Sequence, residues 1–141
     1  MAVVTEDKYM KMRKIMLVFL FAVLGATVAH AADVTVDGSY VWKRRKGEYK
    51  GTFKAVFTPV SEGKWKVVFN FKYKDKPYRY TGTATGSLQN GTLKGTVLND
   101  DKKRTFTFIG TVKDGKMTGT HKEIKKRGSK KIEIDTGTLA W

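Results

Sequence analysis

There is no cysteine in the 141 residues. That excludes a disulfide framework, a thiolate nucleophile, a cysteine-ligated metal and a lipid-anchored lipoprotein cysteine. Histidine is nearly as scarce, with His30 and His121 alone. A lone histidine without a second histidine or a cysteine makes a poor transition-metal site, so no metal or other cofactor is expected. Acidic residues are few, 13 Asp and Glu against 28 Lys and Arg. An excess of cations on this scale speaks of solubility and attraction to anions, not of a fold. Long apolar runs are missing apart from 15–28, which is shorter than the roughly 20 residues needed to cross a bilayer. No helical period occurs outside that run, and no composition shift marks a linker or a second domain.

The apolar run has a context. Lys11, Arg13 and Lys14 precede it, and Ala29-His30-Ala31 closes it with small residues at the first and third positions. This is the three-part pattern of a secretory signal peptide, 1–31, cleaved after Ala31. The alternative is an uncleaved membrane anchor. The basic segment directly before the run starts at Met10 or Met12, either of which would serve as the first residue of the export signal. The mature part, 32–141, is one domain, long enough to bury a core without staples. An exported domain of this size without disulfides points to a bacterial periplasmic or secreted protein. It holds 24 Lys and Arg against 11 Asp and Glu. Asn90-Gly91-Thr92 fits a glycosylation acceptor, but in a bacterial protein it reads more simply as a hairpin turn.

From residue 34 onward the chain reads as strands: 34–43, 48–58, 64–74, 77–88, 92–98, 104–112, 116–125 and 131–141. The third alternates most cleanly, with Trp65, Val67, Phe69, Phe71 and Tyr73 on one face and Lys64, Lys66, Asn70, Lys72 and Lys74 on the other. A period of two with one apolar face means a half-buried strand. The second strand repeats this with Tyr49, Phe53, Ala55 and Phe57 inward, and the sixth with Phe106, Phe108 and Val112. Between strands lie turn residues: Ser61-Glu62-Gly63, Asn90-Gly91, Asp114-Gly115 and Arg127-Gly128-Ser129. Such pairs supply the positive φ values of short hairpins.

A short repeat begins at Gly47, Gly91 and Gly115. In each copy a turn glycine is followed by an inward apolar residue, an inward glycine and an outward threonine. Inward glycines on nearly every strand suit a tightly coiled sheet with aromatics filling the space above them. Seven strands would leave bare edges, whereas eight close. The predicted fold is therefore all-β: an eight-stranded antiparallel up-and-down meander barrel behind an N-terminal signal helix. Gly38-Ser39-Tyr40-Val41-Trp42, on the first strand, is similar to the glycine-x-tryptophan signature of calycins, with Tyr40 at the tryptophan position and Trp42 two further on. With the eight-strand layout, the chain resembles the small secreted calycin barrels, the lipocalins and avidins. The resemblance implies a binding module more than an enzyme, and it carries over no ligand residue.

In a meander, alternate turns fall at opposite ends. The odd-numbered turns span 43–48, 72–79, 99–104 and 122–131, and carry net charges of +3, +3, +1 and +5. The even-numbered turns, 59–64, 89–91 and 113–116, carry 0, 0 and +1. One rim should therefore gather Arg44, Arg45, Lys46, Lys74, Lys76, Arg79, Lys102, Lys103, Arg104, Lys125, Lys126, Arg127, Lys130 and Lys131. The expected partner is an anionic surface or polymer: lipopolysaccharide phosphates, acidic polysaccharide or an acidic protein, before nucleic acid in this compartment. The bland alternative is that lysine-rich turns merely keep exposed edges soluble.

A second candidate lies inside. The repeat places His121 inward, Glu123 shares its face, and Asp135 is offered by the last strand. A histidine flanked by carboxylates is acid–base chemistry in outline. The mature serines sit mostly near turns without a nucleophile motif, so a hydrolase built on these three ranks last and no catalytic residue is assigned. His121 and Glu123 remain a possible interior polar site. The aromatics invite a carrier reading, with a small apolar ligand inside the barrel, although such residues more often fill a core. An outer-membrane barrel would turn the apolar face outward. That would bury Lys50, Lys54, Lys64, Lys66, Lys72, Lys74 and Lys94 in a narrow lumen with few acidic partners, at several kcal/mol per ion.

Overall fold

A computed structural model describes residues 32–141; the expected signal peptide, 1–31, lies outside the described residues. Eight strands follow one another: β1 (Val34–Arg44), β2 (Gly47–Ser61), β3 (Lys64–Tyr73), β4 (Lys76–Gly86), β5 (Gly91–Asn99), β6 (Thr105–Lys113), β7 (Lys116–Arg127) and β8 (Lys130–Ala140). Each pairs antiparallel with the next, and β8 pairs back onto β1, so the sheet is a closed barrel. No strand end differs from its expected position by more than three residues.

The alternation read in the sequence is the alternation of burial. Along β2, Phe53, Ala55 and Phe57 are buried while Thr52 and Lys54 are exposed. Along β3, Val67 and Phe69 are buried while Lys64, Lys66 and Asn70 face water. The inward glycines also behave as the repeat suggests. A Cβ on Gly51 would stand 2.6 Å from the Tyr40 ring, and one on Gly95 would stand 2.6 Å from Phe108. These two glycines are floors on which an aromatic from a neighbouring strand lies, whereas Gly119, in the third copy of the repeat, meets the Ile109 carbonyl and Met117 instead. That is how a narrow barrel accommodates so many rings.

The two ends of the barrel differ. Phe57, Val67, Leu93, Val112 and Met117, its largest fully buried side chains, lie toward the end formed by the β2–β3, β4–β5 and β6–β7 turns. There the turns also bond to one another. Gly86 N donates to the Gly63 carbonyl at 2.9 Å and Gly115 N to the Gln89 carbonyl at 3.0 Å. Asp114 N donates to Asn90 Oδ1 at 3.1 Å. Trp65 Nε1 closes the same end on the Gly86 carbonyl at 3.0 Å. At the opposite end, among the described residues, no backbone hydrogen bond joins one hairpin turn to another.

The closing seam is the shortest ladder, running only from Ser39↔Ala140 to Trp42↔Gly137. Next to it β8 carries a bulge: His121 pairs with Gly137, but Lys122 pairs with Asp135, leaving Thr136 as the extra residue. The bulge flips the parity of β8. Thr136 and Gly137 are both buried, and Asp135, offered above as an inward carboxylate, is exposed. Its oxygen lies 3.8 Å from Lys122 Nζ on the outer wall.

Among the described residues no helix is long and apolar enough to cross a membrane, a statement that leaves strands aside. Lysines 50, 54, 64, 66, 72 and 94 are exposed on the outer wall or its edges, where the large apolar residues at the surface are Val60 and Ile109.

Candidate functional site

The four odd-numbered turns gather at one end because each hairpin reverses the chain. Arg44, Arg45, Lys46, Lys74, Lys76, Lys102, Lys103, Lys125, Lys126, Arg127, Lys130 and Lys131 all lie in or beside these turns and are exposed. Two expected rim residues are placed differently. Arg79 stands opposite Asn70 on the outward face of β4, so it belongs to the wall beside the rim. Arg104 turns inward. Its Nη2 lies 2.7 Å from Glu123 Oε2, and its Nε donates to Glu123 Oε1 at 3.4 Å. The guanidinium also lies 4.9 Å from the Trp42 ring centre and 5.3 Å from that of Phe106. Burial pulls the Arg104 pKa down, but the hydrogen bond and charge of Glu123 outweigh it and raise it. Arg104 is thus a charge already answered, not a free rim cation.

Beneath the cations lies a ring of aromatics that composition alone assigned to the core. Tyr49 and Tyr73 meet edge-on at 4.6 Å, Trp42 and Tyr73 lie tilted at 5.3 Å, and Phe71 stacks on Tyr78 at 5.6 Å. Cations cover this ring: the Arg44 guanidinium is 5.4 Å and the Lys74 ammonium 5.6 Å from the centre of Tyr73. Such contacts stabilise a cation at the surface by about 0.5–1 kcal/mol. Two depressions result. One, of about 410 Å³, is lined by Trp42, Arg44, Arg45, Tyr73, Tyr78, Glu123 and Lys125 among others. The other, of about 560 Å³, runs between the β1–β2 and β3–β4 hairpins. Tyr40 sits deeper and donates to the Lys72 carbonyl at 3.2 Å. Burial first, and Tyr49 second, push its hydroxyl up to about 12, so it stays a donor.

The interior candidate comes out only in part. His121 and Glu123 do face inward, but each has its own partners, and Asp135 is on the outside. His121 Nε2 lies 3.0 Å from the Val41 carbonyl and Nδ1 lies 2.6 Å from Thr136 Oγ1. Because a carbonyl only accepts, Nε2 carries the ring proton. The Thr136 hydroxyl lies between Nδ1 and the His121 carbonyl, to which it also donates at 3.0 Å, and shares its one proton between them. The histidine on β7 thereby reaches across β8 to β1 and pins the short closing seam. Thr136, its partner, was not singled out in the sequence. The signal was there in the change of apolar parity between Ile132 and Ile134 on one side and Leu139 on the other. His121, Glu123 and Asp135 do not form a catalytic constellation. Among the described residues no group of three His, Cys, Asp or Glu is placed to hold a metal.

Burial lowers the His121 pKa from its ordinary 6.5, against the opposing bonds to the Val41 and Thr138 backbone. The unfolded chain therefore takes up a proton first as the pH falls, and the contribution of His121 to stability is complete above about 6.5 and declines below it. We expect the Tm of the wild type to drop more steeply than that of His121→Gln between about pH 7 and the lowered folded-state value. Parallel profiles would show that the buried imidazole is not the source.

The barrel interior beside His121 holds a cavity of about 90 Å³, walled by Tyr40, Trp42, Phe53, Phe69, Phe71, Tyr80, Phe106 and Phe108 among others. Ligand pockets ordinarily span about 300–1,000 Å³. Comparison with known proteins adds nothing to this geometry: no protein family, no curated protein and no solved structure matches the chain.

Proposed function

We propose that the mature domain is an exported, non-enzymatic binding module whose basic rim meets an anionic partner, a lipopolysaccharide phosphate surface, an acidic polysaccharide or an acidic protein. The observation that carries this reading is the asymmetry of the barrel. Twelve exposed cations ring one end, around grooves floored by aromatics, and the other end is nearly neutral and closed by its own turns. Lysine spread for solubility alone has no reason to leave its surplus charge at one end, while Lys64, Lys113 and Lys116 at the other are largely offset by Glu62 and Asp114. The rival reading, a carrier of a small apolar ligand, is favoured by the aromatic walls and disfavoured by a cavity of only about 90 Å³. The membrane-barrel reading is disfavoured by the lysines on the outer wall, where a lipid-facing band is apolar.

Salt separates the readings. Binding through fixed cations releases counterions and weakens steeply as salt rises, whereas binding inside an apolar pocket barely responds. The wild type should lose about tenfold or more in affinity for dextran sulfate between about 50 and 200 mM salt. Replacing Arg44, Arg45, Lys126 and Arg127 together by Ser should lower the low-salt affinity by at least about tenfold and flatten the salt slope. Undiminished binding by this variant, or wild-type binding indifferent to salt, would end the rim proposal.

A further inference from the structure

The groove between the β1–β2 and β3–β4 hairpins is lined chiefly by Arg44, Arg45, Lys46, Tyr49, Tyr73 and Lys74. Its one acidic member, Glu48, stands opposite Lys43 in the strand register. One feature of the groove has no explanation in the free protein's own packing, and another is imposed by its hairpin. The first is the Tyr73 hydroxyl, which is buried and has no hydrogen-bond partner among the described residues. Buried tyrosine hydroxyls nearly always find one, because an unpaired donor keeps its full desolvation cost. The second is the turn itself. Lys74 and Asp75 both sit in the left-handed region, at φ 49° and 64°, where a two-residue hairpin ordinarily has Asn-Gly. The two-residue hairpin demands that conformation, and it sets the Lys74 ammonium over the Tyr73 ring.

The charged groups that cover the Tyr73 ring are donors. Arg44 and Lys74, both over the Tyr73 ring, have no acceptor to offer it. The missing counterpart is a group that only accepts, from several directions at once. A planar carboxylate presents two oxygens in one plane. A phosphate monoester presents three around a tetrahedron, which suits diverging donors on two hairpins. We infer that this groove is the seat of a single phosphate monoester group, held by Arg44, Arg45 and Lys74 with the Tyr73 hydroxyl as its neutral donor. The inference rests on the basic-rim reading and narrows it from anions in general to phosphate.

The test uses the mature protein and three probes at fixed ionic strength: tripolyphosphate, polyglutamate, and vesicles containing phosphatidic acid. Tyr73→Phe removes only the hydroxyl. It should weaken tripolyphosphate binding about tenfold, leave polyglutamate unchanged, and leave the Tm equal or higher, since an unpaired buried donor is lost. An equal loss on the vesicles assigns the phosphate to a lipid headgroup, and a loss confined to tripolyphosphate assigns it to a soluble phosphate. The seat is refuted if Tyr73→Phe binds tripolyphosphate like the wild type, loses both polyanions equally, or lowers the Tm. In those cases a loss of both polyanions by Arg44→Ser/Arg45→Ser still upholds the general rim, whereas a wild type that binds no probe refutes rim and seat together.

Discussion

Phe69→Lys should leave the domain unfolded. Phe69 is buried at mid-barrel, with ring centres of Phe53, Phe108 and Phe57 at 5.2, 5.5 and 6.3 Å. Truncating such a ring costs about 3–5 kcal/mol in lost transfer energy and cavity. A lysine there adds an ammonium with no acid in reach of the aromatic walls, and a buried unpaired charge costs several kcal/mol more. The total matches or exceeds the roughly 5–15 kcal/mol that holds a domain together. Lys66→Glu, three residues earlier and on the outward face between Thr58 and Thr83, should change stability by no more than about 0.5 kcal/mol. Urea titrations of the two variants decide the matter, and similar losses would mean that the inward and outward faces of β3 have been exchanged.

Gly137→Ala should cost about 3–5 kcal/mol, a rare magnitude for one methyl group. Gly137 sits at the β8 bulge with φ 143°, and a Cβ there would stand 1.8 Å from the Val41 carbonyl oxygen. That oxygen is also the acceptor of His121 Nε2. The added carbon must push β8 away from β1 where only the Ser39–Trp42 ladder holds them, and in moving Val41 it breaks the histidine's bond as well. Gly47→Ala is the control. Gly47 has a comparable φ of 121° but nothing within 4 Å of a Cβ, so it should lose only the conformational part, about 1 kcal/mol. Equal losses by thermal melts would mean that the seam tolerates the methyl group and that backbone conformation alone sets the cost.

Much of this architecture follows from periodicity. Strand positions, inward faces, hairpin turns and the gathering of cations at one end all depend on local alternation and on counting, and β3 alone nearly dictates its own two faces. What escapes that logic is decided across strands. The extra residue at Thr136 is a matter of register between β7 and β8, and one residue of slip moved Asp135 from the interior to the wall. Arg104 looked like one more rim cation because its inward turn depends on Glu123, nineteen residues away on the neighbouring strand. Tyr73 looked like core because its alternation is that of core. Only its place at the last residue before the β3–β4 turn, beside Lys74, hinted that its ring belongs to the mouth.

Eight is an even number, and this has a practical side. β1 sets out from the neutral end and β8 returns to it, so Trp141 finishes against Phe53, Phe57 and Met117, on the side away from the cations. A biotin or resin link placed after Trp141 would hold every molecule by the same pole. On a sensor chip or a bead the population would stand in one orientation, each copy presenting its cationic crown to the solution and none lying face down.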